Sequence, residues 1–179
     1  MINSVLDVTD GIICHQVNCQ NVMGAGIARS IYEKYPKVKE LYHKRCETYS
    51  TQKERSTALY GHYQLVRITD KLLVANVFSQ DKFGNGPKRG ICFTNPEYLV
   101  NAISDIAFRF PDKTVYIPEK IGCGYGGGNW NEIEKAINNL SCNNICIIES
   151  KEIAKERGEN WINLAGNLKD SPIYEEEKE

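Results

Sequence analysis

Apolar residues recur along this chain in two alternating rhythms, and the alternation predicts its architecture. The run Gly11–Val17 (GIICHQV) starts almost continuously apolar, the mark of a strand buried on both faces. From about Gly26 the spacing changes to that of a helix, with Ile27, Ala28, Ile31 and Tyr35 on one face. Pro36 ends that helix and opens the next, which carries Val38, Leu41, Tyr42, Cys46 and Tyr49. Ser50–Thr57 is polar and reads as loop. Tyr60–Arg67 and Leu72–Phe78 read as two strands joined at Thr69-Asp70. The stretch from Met1 also has a strand-like pattern.

The second half repeats the alternation. Gln80–Gly90 (QDKFGNGPKRG) is a glycine-bearing loop with three basic residues. Thr94-Asn95-Pro96-Glu97 reads as a capping box with proline at the first helical position. Leu99, Ile103, Ile106, Ala107 and Phe110 form the buried stripe of the helix that follows, and Pro111 closes it. Val115–Pro118 is a short strand. Asn129 and Glu132 cap a helix with Ile133, Ala136, Ile137 and Leu140 on its apolar face, and Ile145–Ile148 is the last strand. Strands alternating with helices predict an α/β layered domain with a largely parallel sheet over residues 1–150. Residues 151–179 are charged, with Ile153, Trp161, Ile162 and Leu164 as their few apolar anchors, and read as an appended helix with a frayed acidic end.

Charge adds little to that picture. The formal net charge is −1, with −3 in residues 151–179 and therefore +2 in the body. No bulk attraction to nucleic acid follows, while a mildly basic body suits a small anion. No apolar run is long enough for a bilayer or resembles a secretion signal. Seven cysteines, an odd number, fit free thiols in a reducing cytoplasm. His43 and Cys46 can share a helix face, yet two ligands fall short of a metal site, so neither metal nor cofactor is expected.

Chemistry enters with two glycine-rich turns. Gly24-Ala25-Gly26 and Gly122-Cys123-Gly124-Tyr125-Gly126-Gly127-Gly128 each lie between a strand and a helix. There the backbone N–H groups and a helix N-terminus converge on one point, which makes an anion site. Glycine lets that backbone approach a phosphate without a Cβ in the way. Two such turns on neighbouring strands can clamp a diphosphate. Gly122-x-Gly124-x-x-Gly127, with Glu149 ending the next strand, also matches a dinucleotide fingerprint. That rival leaves the first turn unexplained and too little chain for the rest of a dinucleotide fold.

Three segments, in order, resemble the macrodomains, the ADP-ribose-binding modules. They are His15–Ala28 (HQVNCQNVMGAGIA), Asn76–Gln80 (NVFSQ) with Phe83-Gly84, and Ile117-Pro118 followed by Ile121–Trp130 (IGCGYGGGNW). The resemblance implies a three-layer α/β/α sandwich around a six-stranded mixed sheet. It also implies that Asn18 meets the distal ribose and that amides of Gly24, Ala25, Gly26 and Ile27 take one side of the diphosphate. The Gly122 turn, through Cys123, Gly124, Tyr125, Gly126 and Gly127, takes the other.

The sequence departs from the family at two places. Where many members carry an acid for adenine, Ser4 stands, preceded by Asn3, with Asp7 and Asp10 out of register. Where one hydrolase branch carries a catalytic lysine and aspartate, Gln80 and Gly126 stand, although Lys82 or Lys88 can reach in from the loop. The branch acting on ADP-ribose-1''-phosphate resembles this chain in having a histidine at the His15 position, a general acid–base or nucleophile by chemistry and a core histidine otherwise. The expectation is an ADP-ribose-binding domain that hydrolyses a phosphate or protein-linked ADP-ribosyl derivative, with His15 and Asn18 at the reacting end. The alternative is a module that binds or sequesters ADP-ribose without turning it over. Cys19 and Trp130 read as packing residues and Tyr125 as a lid over the ribose.

Overall fold

The computed structural model describes residues 2–84 and 87–149. The chain divides after Glu149, and the predicted C-terminal helix and acidic end in Ser150–Glu179 lie outside the described residues. In the first unit the elements run β1 (Gly11–Asn18), α1 (Gly26–Lys34), α2 (Pro36–Cys46), α3 (Gln52–Leu59), β2 (Tyr63–Arg67), β3 (Leu72–Gln80), α4 (Pro96–Arg109), β4 (Val115–Pro118), α5 (Trp130–Asn138) and β5 (Ile145–Ile148). The strands form one mixed sheet in the order β2-β3-β1-β4-β5, parallel except for β2 against β3.

Alternation along β1 assigns the two layers. Ile12 and Cys14 pack with Leu99, Ile103, Ile133 and Ile137 beneath α4 and α5. Ile13 packs with Ile31 and Val38 beneath α1 and α2, and Val17 with Met23, Tyr42 and Phe78. Each fully buried isoleucine contributes roughly 1.5–3 kcal/mol relative to exposure. The layered α/β fold is therefore the one the alternating pattern predicts. Its sheet has five strands among the described residues, one fewer than the resemblance implies.

Three local readings are corrected. The N-terminal stretch is not a strand: Val5–Asp7 is a single 3-10 turn, because the Ser4 hydroxyl accepts from Leu6 N–H and the Asp7 carboxylate accepts from Asn3 and Ser4 N–H. Local side chains thus take donors that a ladder needs. Residues 52–59 are helix α3 rather than loop, started by a Thr51/Glu54 capping box. Asn95, not Thr94, caps α4, accepting from Tyr98 N–H with Pro96 next in line. That releases the Thr94 hydroxyl for other use.

Candidate functional site

The central strands β1 and β4 are parallel neighbours, yet the helices that follow them pack on opposite faces. A crevice opens outside the carboxyl ends of two such strands, the place where open α/β sheets take ligands. Both glycine turns lie at that end. Between β1 and β3 the register shifts after Gln16, so that Asn18 pairs with Gln80 and β3 carries an extra residue beside the turns.

The first turn is held from behind and open in front. Tyr42, buried on α2, donates its hydroxyl hydrogen to Asn18 at 2.9 Å (backbone O) or 3.0 Å (Oδ1) and accepts Val22 N–H at 3.0 Å. Asn18 closes the same turn, its Oδ1 accepting Gln20 N–H at 2.9 Å and its Nδ2 donating to Val22 O at 2.7 Å. Its side chain therefore orders the turn from within. Ahead of it, a Cβ built on Gly24 or Gly26 meets nothing within 4 Å. Ala25 occupies the extended N-cap position of α1, and no side chain caps the helix. Backbone N–H groups at the first turn of a helix lack intrahelical partners, and Ala25, Gly26 and Ile27 stand at that start.

The second turn is packed inward. Gly122 and Gly127 have φ of 72° and 71°, a conformation that favours glycine. A Cβ at Gly126 falls 2.1 Å from Thr94 Oγ1, and one at Gly128 falls 2.8 Å from Gly122 O. The turn uses the Cys123 amide on Lys120 O and the Gly127 and Gly128 amides on Gly124 O and Gly122 O. Gly124 and the half-buried Tyr125 form its outer bend. An aspartate at 126, which the resemblance implies for one hydrolase branch, has no room unless the turn moves.

Behind this turn lies a network that the sequence reading did not find. The Ser79 hydroxyl donates to Gln16 Oε1 at 2.7 Å, and Gln16 Nε2 donates to Gln80 Oε1 at 3.0 Å and Thr94 Oγ1 at 2.8 Å. Thr94 then donates to Gly122 O at 2.6 Å. Gln80, buried, donates to Lys82 O at 2.6 Å, so its amide serves the loop's structure.

His15 sits on the α1–α2 side of β1, fully buried. Its Nε2 lies 2.5 Å from Asn76 Oδ1, and its Nδ1 has no hydrogen-bond partner. Burial pushes its pKa down to about 4, against a weaker upward pull from the Asn76 hydrogen bond. The ring is therefore neutral at pH 7, with an unshared pair on Nδ1. Burial pushes the Cys19 thiol up to about 12, with smaller contributions from Asp81 and Cys46, consistent with packing; Cys123, half-buried in the turn, rises to about 11 for the same first reason. Trp130 packs at the edge of the α4–α5 core. Among the described residues no group of three or more metal-ligating side chains forms, and no helix is long and apolar enough to cross a membrane.

No family model matches the chain. An uncharacterised 17.5 kDa protein of the tk-vs intergenic region of phage T4 is 31% identical over 135 residues, which span 72% of this chain and 79% of that protein. Among solved structures, the macrodomain of Mycobacterium tuberculosis DarG superposes with a TM-score of 0.59 at 20% identity, covering 83% of this chain and 93% of that one. Thermosipho africanus DarTG, solved in complex with ADP-ribose, superposes with a TM-score of 0.59 at 15% identity, covering 80% of this chain and 39% of that one.

Proposed function

Since this chain belongs to one family with the phage T4 17.5 kDa protein and has the macrodomain fold, we propose that it binds ADP-ribose in the crevice between its two glycine turns. One observation carries the reading: the turns leave neighbouring parallel strands whose helices diverge, and the start of α1 presents amides with no side-chain cap. In this reading the amides of Gly24, Ala25, Gly26 and Ile27 take one side of the diphosphate, and the Gly124–Gly126 bend takes the other. Gly122, Cys123 and Gly127 shape that bend. Asn18 orders the loop that meets the distal ribose, and Tyr125 covers it. Charge-assisted hydrogen bonds of roughly 1.5–3 kcal/mol each reach the ~8 kcal/mol of micromolar binding with a handful of contacts, before ordering costs. Titration calorimetry with ADP-ribose tests this: micromolar binding is expected, and affinity weaker than millimolar overturns it.

A second reading, hydrolysis of ADP-ribose-1''-phosphate or of an ADP-ribosyl ester on protein, is favoured by the unpartnered Nδ1 of His15. Full burial of that ring and the tight packing at Gly126 favour binding without turnover. Product formation from either substrate by the wild type, lost in His15→Ala, establishes the hydrolase. Binding with no product leaves a reader or sequestering module. Seven free thiols suit a reducing compartment for either role.

A further inference from the structure

We propose that Thr94 and Gln16 are positioning residues that hold the second glycine turn in its ligand-ready curvature; this rests on the ADP-ribose reading above. The hydrogen bonds run in one direction, and each hydrogen has a single acceptor. Ser79 fills the Gln16 oxygen, so the Gln16 amide nitrogen faces Gln80 and Thr94 and uses both its hydrogens there. Thr94 accepts one of them, which turns its own hydrogen onto Gly122 O. The backbone N–H groups of Phe93 and Thr94 both donate to Gly126 O, at 2.7 and 2.9 Å. The residue pair 93–94 thereby grips the turn at both ends of its bend, at Gly122 and at Gly126.

Three more facts show that the fit is specific. The Gly126 Cα faces Thr94 Oγ1 so closely that no side chain fits between them. Gly122 stands with room for a Cβ only 3.0 Å from both Gln16 Oε1 and Thr94 Cγ2. Thr94 is 5% exposed and does not cap its own helix, since Asn95 does. A buried hydroxyl with no role in its helix, tied to the carbonyl that closes a glycine turn, is a brace. Its action is pre-organisation: the turn amides are aimed before the ligand arrives, so binding does not have to order them. The whole brace is uncharged, so its grip does not change with pH across the range where carboxylates and histidines titrate.

The test compares wild type, Thr94→Val, Thr94→Ser and Gln16→Leu by ADP-ribose calorimetry and by amide hydrogen exchange of residues 122–128 in the free protein. Thr94→Val keeps the side-chain shape and removes the hydroxyl; Gln16→Leu breaks the brace from the strand side and decides the matter if Thr94→Val does not fold. Faster exchange across 122–128 with binding weakened about tenfold or more, restored by Thr94→Ser, is expected. Binding within twofold of wild type in the folded variants, with or without faster exchange, overturns the proposal. If the wild type itself fails to bind ADP-ribose, the functional reading falls separately, and unchanged exchange in the variants then overturns the brace by itself.

Discussion

His15 donates its Nε2 hydrogen to Asn76 Oδ1 across 2.5 Å, from strand positions that lie directly opposite in register. The direction follows from Asn76 itself, whose amide nitrogen donates to Gln64 Oε1 at 3.1 Å and so leaves its oxygen as the acceptor. The Gln64 amide in turn donates to Leu41 O at 3.0 Å on α2. A buried polar thread thus ties β1, β3, the edge strand β2 and helix α2 together, and burial with no acceptor at Nδ1 keeps the imidazole in it neutral.

Stability therefore depends on pH through His15. Its folded pKa, about 4, lies below the ordinary 6.5, so the unfolded chain binds the proton more readily. The contribution is complete above pH 6.5 and declines as pH falls toward 4, by about 3 kcal/mol in all. Urea denaturation between pH 4 and 8 should show this slope in wild type and lose that part of it in His15→Gln. Parallel profiles for the two proteins would show that the ring does not titrate this way.

Restoring the missing carboxylate should not create a hydrolase. In Gly126→Asp the new Cβ meets Thr94 Oγ1 at 2.1 Å and Gly122 O at 2.7 Å, so the turn must move. Overpacking of this kind costs about 1–3 kcal/mol. Thermal unfolding should report a lower Tm, and calorimetry weaker ADP-ribose binding, with no gain of product. A variant as stable as wild type would mean that the turn yields freely.

The sheet was legible because its strands are apolar runs set between polar or turn residues: Val115–Pro118 and Ile145–Ile148 have the bounds their pattern predicts. Helix α3 escaped because it buries only Leu59 and shows no apolar stripe, although its Thr51-x-x-Glu54 signature was present to be read. The glycine turns were legible as a possible clamp, since glycine marks special backbone. Their supports were not. Gln16 and Thr94 are 78 positions apart, and nothing local to a glutamine or threonine announces a partner brought together only by the fold. Tyr42 read correctly as core, while the use of its hydroxyl depends on where the first turn lands.

Removing that hydroxyl should loosen the first turn selectively. Tyr42→Phe keeps the ring stacked on Phe78 but leaves Val22 N–H and an Asn18 oxygen without their buried partner. Leaving such groups unsatisfied costs about 1–3 kcal/mol. Hydrogen exchange should accelerate at residues 18–24 while residues 122–128 keep their wild-type protection. Uniform acceleration across both turns would mean that they form one cooperative unit rather than two separately braced ones.

The start of α1 offers the sharpest separation of stability from binding. Ala25 has φ −137° and ψ 161°, the extended geometry of an N-cap, yet its methyl group cannot accept the helix amides. Ala25→Asp supplies the acceptor, which stabilises a helix start by roughly 0.5–2 kcal/mol. The same carboxylate then competes for the amides assigned to the diphosphate and repels its charge. Tm should therefore rise while ADP-ribose affinity falls at least tenfold, a trade that a merely structural helix end does not show. If Tm rises and affinity stays within twofold of wild type, the diphosphate does not sit at this helix start, and the clamp loses one of its two jaws.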